Sequence, residues 1–163
     1  MSSVKLALTS SSVRRFFASF IETAAGERYL AMAWLDGEDL RRRISRGPMP
    51  LEAAGATIRR IAEALAAAHE RGVVHRDVKP SNVYLPAGDG ARATLVDFGV
   101  AHLIGAGGGL TRTGALVGTP AYMSPEQARG DGTLTSASDV FALGAVLYEC
   151  VTGRPCFAAT NMF

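Results

Sequence analysis

Near the start of the chain two apolar runs, residues 13–21 and 28–35, flank a polar stretch at 22–27. Runs of this length and make-up predict an antiparallel strand pair. A short helix is expected at 38–45, closed by Gly47 and Pro48. From Leu51 the period changes: Leu51, Ala54, Ile58, Ile61, Leu65 and Ala68 recur at alternating steps of three and four. That spacing predicts an amphipathic helix whose apolar stripe is core. Glu52, Arg59, Arg60, Glu63 and Glu70 lie mostly off the stripe, and Gly72 offers a stop. Two further apolar runs, 83–85 and 94–96, are joined by turn residues at 86–90, which predicts a small hairpin. Residues 105–118 are Gly-rich and irregular. A last helix is expected from Ser136 to Gly153. Val140, Phe141, Leu143, Val146, Leu147 and Val151 make it apolar on most sides, the pattern of a buried central helix.

Composition narrows the function classes. Of 163 residues, 48% are hydrophobic and 20% charged, so the chain is globular rather than disordered. Seventeen basic against fifteen acidic residues leave a net charge of +2, which gives no argument for nucleic acid or a membrane surface as partner. The longest basic run, Arg41 to Arg43, reads as a solvated helix face. Cys150 and Cys156 have neither metal nor redox spacing and are expected to be small core residues in a reducing compartment. Residues 1–12 lack the form of a signal peptide. The most apolar stretch, 140–151, is too short to cross a bilayer and contains Glu149. A soluble, cytoplasmic chain is expected, although a longer parent could carry an anchor elsewhere.

The chemistry concentrates in one stretch, His75-Arg76-Asp77-Val78-Lys79-Pro80-Ser81-Asn82, directly after the amphipathic helix. Moving a phosphoryl group onto a hydroxyl takes a carboxylate to orient the hydroxyl, a cation near the transferred oxygens, and oxygen ligands for magnesium. Asp77, Lys79 and Asn82 supply one of each. Asp97-Phe98-Gly99 follows a short apolar run fifteen residues beyond Asn82. An aspartate at a strand end can reach a metal that bridges phosphates.

These two stretches resemble the catalytic loop and the metal-binding loop of eukaryotic-type Ser/Thr protein kinases. Residues 118–126, Gly-Thr-Pro-Ala-Tyr-Met-Ser-Pro-Glu, resemble the end of that family's activation segment, with Ser-Pro-Glu where Ala-Pro-Glu is commoner. Residues 138–144, Ser-Asp-Val-Phe-Ala-Leu-Gly, resemble the start of the central helix of its large lobe. The resemblance runs from about residue 13 to 157, and the wording is similar to bacterial members. It implies an α+β, protein-kinase-like fold seen in part. Residues 1–35 match a remnant of the small lobe (the end of its helix and its last two strands) up to the hinge. Residues 36–163 match a partial large lobe.

The resemblance also implies roles. Asp77 is the expected catalytic base, with Lys79 facing the transferred oxygens and Thr119 bonded near both. Lys79 and Thr119 together imply Ser/Thr rather than Tyr specificity. Asn82 and Asp97 are the expected Mg2+ ligands, and ATP the phosphoryl donor to a protein Ser/Thr hydroxyl. Met32 borders the adenine, Ala33 and Leu35 offer it backbone groups, Asp39 meets the ribose and Tyr84 floors the pocket. For Asp39 and Tyr84, plain surface and plain core are equally good readings. His75 and Phe98 stack within the core, and Asp139 braces the catalytic loop. The spacing of Ser136 and Asp139 also allows a helix-start capping box. Thr111 or Thr113 is an expected phosphorylation site, with Arg76 as partner for the added charge. His69 and His102 receive no role.

Some of the family's parts have no counterpart here. No Gly-rich phosphate loop precedes the hinge, and Lys5 stands too few residues before Met32 to be the family's phosphate-binding lysine. The glutamate matching Glu126 usually pairs with a later arginine, and no residue follows Phe163 to supply it. The isolated chain is therefore expected to turn over Mg-ATP weakly or not at all, and to expose part of its central helix. A docking-only pseudokinase and a non-functional truncated product remain alternatives. The intact set Asp77, Lys79, Asn82 and Asp97 favours the enzyme.

Overall fold

The computed structural model describes the backbone of residues 18–22 and 28–32, and the full residues 36–98, 120–130 and 134–157. The chain divides into two units, Met1–Asp36 and Gly37–Phe163. In the first, strands β1 (Ala18–Glu22) and β2 (Arg28–Met32) pair antiparallel, with Ala18 opposite Met32 and Glu22 opposite Arg28. The remainder of the two expected strands, 13–17 and 33–35, lies outside the described residues.

The second unit opens with a strand where a helix is expected. Residues Gly37–Asp39 form β3, and the helix α1 is only Leu40–Ile44. Glu38 and Asp39 pair with Leu85 and Tyr84 of β4 (Val83–Pro86), whose other edge carries β5 (Thr94–Leu95). The sheet order is β3-β4-β5, antiparallel throughout. Asp39 makes the switch from strand to helix. Its backbone is still extended, and its carboxylate accepts from the Arg42 N–H at 2.8 Å as the N-cap of α1. The sequence pattern missed β3 because three residues are too few to show alternation.

Helix α2 spans Leu51–His69 and buries Ala54, Thr57, Ile61, Leu65 and Ala68. Leu51 is a correction to the expected stripe: it is 75% exposed, being the first residue of the helix and beyond its cover. Thr57 sits in the stripe instead. Its hydroxyl donates to the Ala53 carbonyl at 2.9 Å, so burial leaves no polar atom unmet. The 3₁₀ turn Gly90–Arg92, in the β4–β5 connection, packs on this spot. A Cβ at Gly90 would come within 2.2 Å of Thr57 Oγ1, so only glycine permits the approach.

Two short elements precede the last helix: a 3₁₀ turn at Pro120–Tyr122 and α3 (Pro125–Arg129). Ser124 and Gln127 form a full capping box at the start of α3, and Gly130 ends it with φ of 75°. Helix α4 runs over Ser136–Thr152 and stops at Gly153, φ 71°. Its N-cap is Thr135, not Ser136, so the expected Ser136–Asp139 capping box does not form. Asp139 is inside the helix and 1% exposed. The helix is less enclosed than its composition suggests, since Val140 is 62% and Tyr148 46% exposed.

One apolar core joins α1, α2, the sheet and α4 through Leu40, Ile61, Leu65, Val83, Leu85 and Val146. Each such side chain, fully buried, contributes about 1.5–3 kcal/mol. Val78 belongs to the same core, which seats the middle of the His75–Asn82 loop on it. The cysteines divide. Cys150 is buried, and burial pushes its thiol up to about 12, whereas Cys156 is exposed and corrects the expectation of two core thiols.

Gly37 holds φ at +146°, and a Cβ there would lie 2.2 Å from the Leu85 carbonyl oxygen. Gly37→Ala is expected to destabilise this unit by more than about 1 kcal/mol, because neither the dihedral nor the backbone contact can relax cheaply. Urea unfolding of the chain measures it; an unchanged midpoint would contradict the β3–β4 pairing.

Candidate active site

The loop between α2 and β4 is built around a buried carboxylate. Asp139 Oδ2 accepts from the His75 backbone N–H at 2.8 Å and Oδ1 from the Arg76 N–H at 2.8 Å. His69 Nε2 stands 2.7 Å from Oδ2 as a third partner. A charge removed from water requires such donors, and each charge-assisted bond contributes about 1.5–3 kcal/mol. His69, to which the sequence reading gives no role, is thus part of the loop's anchor. A signal was present: it stands four residues after Leu65 and eight after Ile61, on the apolar face of α2.

His75 is fully buried and knits the loop to the following hairpin. Its Nδ1 accepts from the Asp77 N–H at 3.3 Å. Nε2 must then carry the proton, which it donates to the Val96 carbonyl at 3.0 Å. The Phe98 ring meets His75 edge-on, with centroids 4.6 Å apart. Burial is the largest influence on this imidazole and lowers its pKa below 6.5; the Val96 carbonyl and the carboxylates of Asp139, Asp77 and Asp97 oppose it without prevailing.

The chemistry-bearing side chains gather at Asp77. Lys79 Nζ donates to Asp77 Oδ2 at 2.7 Å. Asn82 Nδ2 donates to the Asp77 carbonyl at 2.8 Å and to Oδ2 at 3.1 Å. Both of these partners are acceptors only, so the amide orientation of Asn82 is fixed and its oxygen remains for a cation. The 3₁₀ turn Pro80–Asn82 carries Asn82 into β4. From β5 the Val96 N–H bonds the Asn82 carbonyl at 2.9 Å, which brings Asp97 to the strand end beside Asn82. Asp97 is exposed and has φ of 61°, a left-handed backbone rare outside glycine. Among the described residues no three His, Cys, Asp or Glu side chains form a metal cage. One carboxylate and one amide oxygen nevertheless fit the sparse, all-oxygen set that magnesium takes together with phosphates.

Other expected residues are placed as follows. Asp39 and Tyr84 are cross-strand neighbours in β3–β4, with the Asp39 carboxylate already capping α1. Glu126, whose expected loss is that of a later arginine partner, accepts from Ser138 Oγ at 2.6 Å, a bond that lowers its pKa. Arg76 is exposed, with φ of 69°. Met32 ends β2, described as backbone only. Ala33, Leu35, Gly99, Thr111, Thr113 and Thr119 lie outside the described residues.

The family model for the protein kinase domain matches residues 4–162, and the chain belongs to that family. It is 43% identical over 138 residues to the Ser/Thr-protein kinase PknB of Mycobacterium leprae, covering 83% of this chain and 22% of that protein. With the Ser/Thr-protein kinase PkaA of Streptomyces coelicolor it shares 51% identity over 130 residues, 78% of this chain and 24% of that protein. With PknD of Mycobacterium tuberculosis it shares 45% over 138 residues, 84% and 20% respectively. The chain thus spans between a fifth and a quarter of the length of these curated relatives. The family as a whole uses ATP and a divalent metal. No helix among the described residues is long and apolar enough to cross a membrane.

The neutral, buried His75 sets a pH dependence. Its folded pKa lies below the unfolded 6.5, so between the two values the unfolded chain binds the extra proton. The stability from neutral burial is fully present above about pH 6.5 and is lost as pH falls toward the folded pKa. The melting temperature is expected to drop between about pH 7.5 and 5.5, and His75→Phe to flatten that part of the profile. Equal slopes in parent and variant would rule out His75 as the source.

Proposed function

We propose that this chain is the catalytic segment of a Ser/Thr protein kinase, which transfers the γ-phosphoryl group of ATP to Ser or Thr hydroxyls of a protein. The observation that carries the reading is the convergence of Lys79 and Asn82 on the Asp77 carboxylate. Phosphoryl transfer asks a protein mainly for position and charge. Asp77 orients the acceptor hydroxyl and takes its proton, and Lys79 turns from Asp77 toward the transferred oxygens. Asn82 Oδ1 and the Asp97 carboxylate hold magnesium, which when bound neutralises phosphate charge. Thr119 supports Asp77 and Lys79.

Met32, Ala33, Leu35, Asp39 and Tyr84 serve the nucleotide, with residues 1–35 as part of a small lobe and 36–163 as part of a large one. The second Asp39 oxygen is available for a ribose hydroxyl while the first caps α1. Phosphorylation of Thr111 or Thr113 is the regulatory event, with Arg76, exposed beside the base, as the matching cation. Dependence on ATP and two free thiols support a cytoplasmic site.

The test is transfer of labelled γ-phosphate from Mg-ATP to a Ser/Thr-containing protein, using the protein from its natural gene. Asp77→Asn is expected to lower kcat by about 10²-fold or more, with the KM for ATP little changed. Equal turnover by the parent and Asp77→Asn would remove Asp77 from the reaction and sink the reading.

A further inference from the structure

Arg76, which precedes the proposed base, occupies a backbone conformation that costs free energy. Its φ of 69° is a value that non-glycine residues adopt only where their surroundings over-determine it. Each of its two flanking peptides is held by a side chain from a different helix. On one side, Asp139 of α4 accepts from the Arg76 N–H at 2.8 Å. On the other, Gln127 of α3 donates from Nε2 to the Arg76 carbonyl at 2.8 Å. That carbonyl belongs to the peptide joining Arg76 to Asp77. The same peptide's N–H is the one bonded to His75 Nδ1 at 3.3 Å. Its plane, and with it the direction in which Asp77 leaves the backbone, is therefore held from both edges.

Gln127 is itself braced. Its Oε1 accepts from the Ser124 N–H at 3.1 Å, and its backbone N–H donates to Ser124 Oγ at 3.4 Å, with Ser124 fully buried. The Ser124 N–H can only donate and the Arg76 carbonyl can only accept. One orientation of one amide satisfies both. Glutamate would keep the acceptor for the Ser124 N–H and lose the donor to Arg76, and alanine would lose both side-chain bonds while its backbone N–H still meets Ser124 Oγ.

We propose that Gln127 is a positioning residue for phosphoryl transfer, fixing the Arg76–Asp77 peptide and thereby tying the seating of α3 to the aim of Asp77. This rests on the reading of Asp77 as the base. The capping box thus acts at a distance from its own helix. The segment leading into α3 is anchored separately, through the bond from the Tyr122 hydroxyl to Glu149 of α4. Of the side chains of α3, Glu126 ties it to Ser138 of α4 and Gln127 reaches the Arg76–Asp77 peptide directly.

The test compares Gln127→Glu and Gln127→Ala with the parent, using the protein from its natural gene. A hydrogen bond to a carbonyl shifts the carbonyl carbon and the nitrogen of the same peptide. The NMR signals of Arg76 carbonyl carbon and Asp77 nitrogen are expected to move in both variants, and the Ser124 amide only in Gln127→Ala. The kcat of Gln127→Glu is expected to fall about ten- to a hundredfold at unchanged KM for ATP and near-parental melting temperature. Unmoved Arg76 and Asp77 signals in Gln127→Glu would overturn the proposal, as would moved signals with parental kcat. A parent that transfers no phosphate overturns the functional reading and the catalytic half of this one, while the spectra still decide whether Gln127 holds the peptide.

Discussion

A carboxylate taken out of water has to be met by donors, and in this fold the donors that meet Asp139 are the loop itself. Two consecutive backbone N–H groups, of His75 and Arg76, and the imidazole of His69 converge on it. Removing any of them would leave a buried charge short of partners, so the loop cannot drift without an electrostatic cost. The partners are far apart in sequence: His69 ends α2, His75 and Arg76 follow it, and Asp139 lies in the first turn of α4. One side chain therefore fixes the crossing of two helices and the course of the segment between them. The left-handed backbone at Arg76, from which the chain runs on to Asp77, is held on its N–H side by that anchoring.

The rest of the second unit serves to present this loop. Val78 is buried in the core while Asp77 and Lys79, its neighbours, reach outward. The alternation is that of an extended chain lying on an apolar floor. Beyond Asn82 the chain enters β4, and the hairpin partner β5 ends at the approach to Asp97. His75 closes the arrangement by bonding the Val96 carbonyl, so the loop and the hairpin share an imidazole as well as a sheet.

Much of this was legible in the chain. The step pattern from Ala54 to Ala68 gave α2, since a stripe over nineteen residues outweighs any local ambiguity. The gathering of Asp77, Lys79 and Asn82 was legible because they are close in sequence and their geometry is largely local. Contacts across long separations were not. Nothing near His69 announces Asp139, and nothing near Gln127 announces the Arg76 carbonyl, because the helices that carry them meet only after folding. β3 was hidden for a different reason. Three residues have no period, and what makes them a strand is the edge of β4 beside them. The exposed Val140 and Tyr148 show the converse limit: an apolar composition predicts a wish for cover without stating which faces receive it.

The ion pair of Lys79 and Asp77 carries a consequence of its own. With the ammonium resting on the carboxylate, these two side chains offset each other's charge before any ligand arrives. Any incoming anion that seeks Lys79 has to draw it away from a neighbour only two residues distant, and the same movement leaves Asn82 as the side chain still bonded to that carboxylate. One side-chain rotation thus changes the charge balance at both ends of the pair.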